Sequence, residues 1–140
     1  MDTEGTALFH RTMPFTERLG IEVLEHSAEL VRTRVGWDES LCTLGGSRHG
    51  AVLHGGLLMA LADATGAVCA FHNLPAGAHG TTTLDSATRF LRGVHEGHVL
   101  ASSRPLHTGR TVIVVETELH DAGGLLVAKV SQTQAVLRQG

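Results

Sequence analysis

The chain has 140 residues, 42% of them apolar and 18% charged, which is enough for one domain spanning 1–140 with its own core and too little for two. Ten Arg and one Lys against 14 acids leave a formal charge of −3, so the chain lacks the basic footprint of a protein that grips nucleic acid through its phosphates. Seventeen Gly against three Pro, with a mean hydropathy of +0.09, exclude the collagen-like and low-complexity classes. Cys42 and Cys69 make neither a disulfide framework nor a CxxC metal pair, and a cytoplasmic location is the expectation. No basic stretch followed by an apolar run opens the chain, so no secretory signal is expected.

Residues 6–19 place Leu8, Phe9, Met13, Phe15 and Leu19 at loosely helical intervals, predicting a short helix that bends at Pro14 and closes at Gly20. Residues 21–37 then switch to alternation, with Val31, Thr33 and Val35 interleaved by Arg32 and Arg34, which predicts a hairpin or a pair of edge strands. Residues 38–52 carry several Gly and Ser with little periodicity and read as a loop, long enough to suspect function.

Residues 51–71 are almost wholly apolar and about as long as a membrane span. His54 and Asp63 inside the run, and its reliance on Ala and Gly, point instead to a helix buried in a core. Residues 73–80 are turn-rich, and four strand candidates follow at 81–91, 99–106, 111–120 and 125–137. The connectors 93–97, 107–110 and 121–124 have hairpin length, so these four strands are predicted to form an antiparallel meander. The sum is an α+β chain in which an antiparallel sheet of about five to six strands wraps round a central helix. Edge strands and one flank of the helix would remain to be hidden, which favours a homodimer.

The chemistry concentrates in His54-Gly55-Gly56-Leu57-Leu58-Met59-Ala60-Leu61-Ala62-Asp63. Two glycines behind a polar residue at a helix start leave backbone N–H groups for a developing oxyanion. Asp63 is the only charged residue between Arg48 and Phe71. A lone carboxylate in apolar surroundings is costly unless it is bonded or used, so Asp63 is either a structural cap or a catalytic acid.

This stretch resembles the hotdog-fold acyl-CoA thioesterases, in particular the branch typified by the phenylacetic acid degradation thioesterase. The resemblance runs over nearly the whole chain: Leu19-Gly20-Ile21-Glu22-Val23-Leu24-Glu25, the His-Gly-Gly run ending on Asp63, Phe90-Leu91-Arg92-Gly93, Gly109-Arg110-Thr111, and Gly124-Leu125-Leu126-Val127-Ala128. It implies a hotdog fold and hydrolysis of thioesters at a dimer interface. Asp63 of one subunit would act as nucleophile or general base, and the Gly55 N–H of the other would polarise the thioester carbonyl. By the same resemblance His54 would hold the turn or bond the substrate, Gly56 would line the binding site, and Thr83, two residues before Asp85, would orient water. Arg92, Arg110 and Gly109 occupy family positions near the coenzyme A end, with Arg89 and Arg104 as neighbours. The coenzyme would be part of the substrate; no bound cofactor and no metal are expected, and the oligomer would be a dimer or a dimer of dimers.

One departure stands out. Six residues before His54, relatives usually carry Asn or Gln, and this chain has Arg48 followed by His49. A guanidinium only donates, so Arg48 would either pair with Asp63 or leave the water-positioning role to His49. A catalytically weak acyl-CoA-binding module is therefore the alternative reading. A hotdog hydratase is disfavoured, because Val68 stands where its histidine would be. His95-Glu96-Gly97-His98 falls one residue short of a helical zinc motif and sits in an expected turn. His72, His79, His107 and His120 read as solvated ends of elements, Cys69 reads as a core thiol, and no GxSxG elbow is present.

Overall fold

The longest helix, α3 (Gly55–Phe71), is built mainly from Ala, Leu and Met, which lose little on entering a helix, and it organises everything around it. A computed structural model describes residues 1–45, 48 and 50–139. Two short helices, α1 (Thr3–Thr12) and α2 (Pro14–Leu19), precede the first strands. The predicted single bent helix is thus two helices, because Met13 leaves the helical conformation and Pro14 starts the second one at its first position. Gly20 closes α2 with φ 73°, the left-handed cap that a residue without a side chain adopts without strain.

Six strands form one antiparallel sheet in the spatial order β1-β2-β6-β7-β8-β5. They are β1 (Glu22–His26), β2 (Val31–Gly36), β5 (Ala78–Phe90), β6 (His98–Thr108), β7 (Val112–Asp121) and β8 (Leu126–Arg138). The sheet curls about α3, which packs against β2, β5, β6, β7 and β8. This is the hotdog architecture. Leu57, Leu58 and Leu61 enter one core cluster with Val99, Leu119 and Val130, and Cys69 and Ala70 enter another with Phe9, Val31 and Val115. Each fully buried Leu contributes about 1.5–3 kcal/mol by leaving water.

The expected four-strand meander fails at one place. β6, β7 and β8 are sequential neighbours, but β5 pairs with β8 at the sheet edge, from Ala78 opposite Arg138 to Phe90 opposite Ala128. Residues 91–97 therefore form a crossover past the ends of β8 and β7, not a hairpin. Seven residues suffice, because β5 and β6 run in opposite directions and the exit and entry lie at the same end of the sheet. Val94, buried in this crossover, accepts the Leu53 N–H at 2.9 Å and ties it to the start of α3. The expected loop at 38–52 also carries structure: a 3-10 turn (Glu39–Leu41) and a two-stranded pair, β3 (Cys42–Thr43) with β4 (Val52–Leu53).

Candidate active site

The start of α3 is fixed by His54. Its backbone is extended (φ −61°, ψ 137°), and its Nδ1 accepts the Gly56 N–H at 2.8 Å, the usual task of a Ser or Asp cap. With Nδ1 accepting, the neutral ring carries its proton on Nε2. The His54 N–H reaches Leu41 O at 2.9 Å, so the turn is held from the loop side as well. His54 thereby takes up the Gly56 amide, while the Gly55 N–H meets no acceptor among the described residues. The Phe90 ring lies over Gly55, and a Cβ there would stand 3.3 Å from its edge.

Eight residues on, Asp63 corrects the expectation of a buried acid: its side chain is exposed in the single chain. The flank of α3 that carries Gly56, Met59, Asp63 and Phe71 is open, while Leu57, Leu58, Leu61 and Ala62 are buried. One carboxylate oxygen nevertheless turns back toward the sheet, where Gln132 Nε2 donates to it at 3.2 Å. Partial burial pushes the Asp63 pKa above the usual carboxylate value, and the hydrogen bonds from Thr83 and Gln132 offset only part of that rise. Among the described residues no charged neighbour enters the balance, so within them Asp63 carries its charge on neutral donors.

Gln132 and Gln134 stand two apart on β8 and point to the same face, both fully buried. Gln134 Nε2 donates to Thr83 Oγ1 at 2.8 Å. Opposite Gln134 the β5 strand is irregular: Thr83 pairs with Gln134 and Asp85 with Thr133, so Leu84 bulges out. The bulge puts Thr83 and Ser86 on the helix face and sends Asp85 to the other one. Gln132 Oε1 is buried with no hydrogen-bond partner among the described residues, an omission that costs about 1–3 kcal/mol.

An apolar cavity of about 390 Å³ opens one helical turn beyond Asp63, between Leu8, Met13, Ala67, Phe71 and Thr81. A second, of about 230 Å³, lies at the start of α3 between Phe15, Cys42, His54 and Gly56. Asp63 sits between the two on the open flank of the helix.

Of the residues singled out in the sequence, Asp63 and Thr83 come together through the β8 glutamines, and His54, Gly55 and Gly56 form the helix start. Arg48 is exposed, and His49 lies outside the described residues. Arg89 and Arg92 are at the end of β5 beside the start of β8, whereas Gly109 and Arg110 form the β6–β7 turn at the opposite end of the sheet. Within one chain these arginines do not meet. Arg110 is held by its carbonyl, which accepts from Arg138 at 3.2 Å, and Gly109 by its N–H to Val112 O at 2.9 Å. Among the described residues no cluster of three or more His, Cys, Asp or Glu is placed to hold a metal ion, and no helix is long and apolar enough to cross a membrane.

Gln132 and Gln134 escaped the sequence reading, although a signal was there. Ala128, Val130, Gln132, Gln134 and Val136 occupy one face of β8 that is otherwise apolar, and two amides in such a row require a partner.

Residues 50–128 match the family described as the thioesterase superfamily. The chain is 37% identical over 92 residues to the Saccharolobus solfataricus protein named "Putative esterase SSO2140", covering 66% of this chain and 64% of that one. It is 30% identical over 123 residues to "Putative esterase ComA2" of Bacillus subtilis, covering 88% of this chain and 94% of that one. Among solved structures, thioesterase HI1161 from Haemophilus influenzae superposes with a TM-score of 0.79 at 26% identity, over 89% of this chain and 82% of that one. A family match that spans more than half the sequence, on a sheet wrapped round one helix, makes this chain a member of the thioesterase superfamily.

Proposed function

We propose that the chain hydrolyses acyl-CoA thioesters, aryl-acyl groups included, with Asp63 as the catalytic carboxylate. The observation that carries this reading is the position of Asp63: an isolated acid on the open flank of α3, its pKa raised, beside an apolar cavity of about 390 Å³. A carboxylate whose pKa moves toward neutrality is a better proton acceptor at physiological pH than an ordinary one. Water attacks the thioester carbon, Asp63 takes the water proton, the C–S bond breaks, and the thiolate leaves to be protonated as coenzyme A. Alternatively the carboxylate attacks directly and the resulting anhydride is hydrolysed. Thr83 positions the attacking group, the Gly55 N–H stabilises the oxyanion, His54 holds the turn that presents it by capping the Gly56 N–H, and the acyl group occupies the cavity beyond Asp63.

The site takes its oxyanion donor from a second copy of the chain. Leu84 (60% exposed), Phe90 (50%) and Leu91 (57%) lie on or next to the free edge strand β5, and Met59 and Phe71 line the open flank of α3. A dimer joined along antiparallel β5 edges buries these residues and brings Arg110 and Gly109 of one copy toward Arg89 and Arg92 of the other, where coenzyme A phosphates would lie. A cytoplasmic location and a single domain over 1–140 go with this reading.

The test is hydrolysis of a panel of short, medium and aromatic acyl-CoAs by wild type and Asp63→Asn. The expected result is a loss of kcat of about 10²-fold or more with substrate binding largely kept. Wild type that binds the panel and hydrolyses none of it establishes the binding module instead. A single turnover in ¹⁸O-water tests the anhydride route, because water attacking the Asp63 carbonyl of the anhydride leaves the label on Asp63 and out of the carboxylic acid, whereas general-base hydrolysis puts it in the acid.

A further inference from the structure

We propose that Gln132 and Gln134 form a buried amide platform that sets the ionisation and aim of Asp63, which makes them positioning residues for the reaction. The proposal rests on Asp63 as the catalytic carboxylate. Gln132 donates to one carboxylate oxygen of Asp63 at 3.2 Å, and Gln134 donates to Thr83 Oγ1 at 2.8 Å. An accepted hydrogen bond leaves the Thr83 hydroxyl proton free to point away from Gln134, toward Asp63 or the attacking water.

A purely structural role does not account for the arrangement. The row that carries the two glutamines is otherwise Ala128, Val130 and Val136, and a further apolar side chain would complete it with no orphaned atom. Instead Gln132 Oε1 is left without a partner among the described residues, against Gly66 in the middle of α3. A Cβ at Gly66 would run into that oxygen, so a residue unfavourable to the helix stands where any other would displace the amide. Two features that each cost stability meet at one contact, and both serve to keep Gln132 Nε2 on Asp63.

Among the described residues the groups acting on Asp63 are neutral: Thr83 from β5 and Gln132 from β8. Cys69 is the only other titratable side chain of α3 and is buried in the second core cluster, and Asp85 and Lys129 belong to the opposite face of the sheet. Removing the Gln132 donor therefore raises the Asp63 pKa with nothing to compensate.

The experiment follows the Asp63 carboxyl by ¹³C NMR titration, beside the pH dependence of kcat/KM on a hydrolysed acyl-CoA, in Gln132→Met, Gly66→Ala and Gln134→Met. Gln132→Met is expected to raise the Asp63 midpoint by about one pH unit, with the acid limb of the rate profile moving alongside and Tm not lowered. Gly66→Ala is expected to give the same shift by displacing the amide while the glutamine itself is retained, and it serves as the second route should Gln132→Met fold poorly. Gln134→Met is expected to lower kcat with a smaller shift. An Asp63 titration in Gln132→Met and Gly66→Ala that coincides with wild type overturns the platform. A carboxyl midpoint that moves while the rate profile stays put upholds the platform and overturns the catalytic role of Asp63.

Discussion

The two flanks of α3 are made from the same helix and do opposite things. The sheet-facing flank, with Leu57, Leu58 and Leu61, is covered by β2, β6, β7 and β8 and holds the molecule together. The open flank, with Gly56, Met59, Asp63, Ala67 and Phe71, faces a groove between the N-terminal helices and β5 and holds the only charge on the helix. The strands beside the two flanks differ in the same way. β7 alternates buried and accessible residues down most of its length, whereas β5 is accessible almost throughout and offers the helix Thr81, Thr83, Ser86 and Thr88. The lesson is that a helix apolar all round need not be covered all round by its own chain. What its own sheet leaves bare is where a partner and a substrate can bind.

The comparison can be broken most directly at its centres. Leu61→Ala on the covered flank is expected to cost about 2–5 kcal/mol in denaturant unfolding, through lost burial and a cavity. Asp63→Asn on the open flank is expected to leave the fold intact while removing about 10²-fold or more of kcat, and a variant that unfolds instead would make Asp63 structural. His54→Ala removes the cap of α3 and releases the Gly56 amide, at about 1 kcal/mol of stability and a further loss of rate. Met59→Ser on the open flank is expected to change the stability of an isolated chain by under about 0.5 kcal/mol while weakening self-association in sedimentation. A sedimentation profile of wild type that stays monomeric at micromolar concentration removes the shared site altogether.

The smallest effect is a pH dependence. The Asp63 pKa is raised by folding, so the native state favours the protonated form, and its contribution falls as pH rises from the ordinary carboxylate range through the raised value. Asp63→Asn removes that loss. Its melting temperature is therefore expected to lie about 1–4 °C above wild type at pH 7, with the gap closing near pH 3. A gap that persists at low pH assigns it to packing.

Much of this was legible in the residues. Alternation at 31–35 and the Val-, Ile- and Thr-rich runs after 98 marked strands to within a few residues, because a half-buried strand writes its period into the chain. The crossover at 91–97 was illegible, since seven residues fit a hairpin as well as a passage across the sheet end, and pairing partners 46 positions apart, such as Ser86 and Gln132, leave no local mark. The glutamines of β8 were visible as amides in an apolar row, yet their targets on α3 and β5 lie 69 and 51 residues away.

The sequence by itself determined the element types, the apolar central helix, the cap-and-glycine turn at its start and the lone acid within it, because each follows from local propensity and period. Only the tertiary structure decided that β5 would lie at the edge beside β8, that Asp63 would face outward, and that Gln132 and Gln134 would hold it and Thr83. Those outcomes depend on which distant surfaces meet once the sheet closes round the helix, and no window of neighbouring residues contains that information.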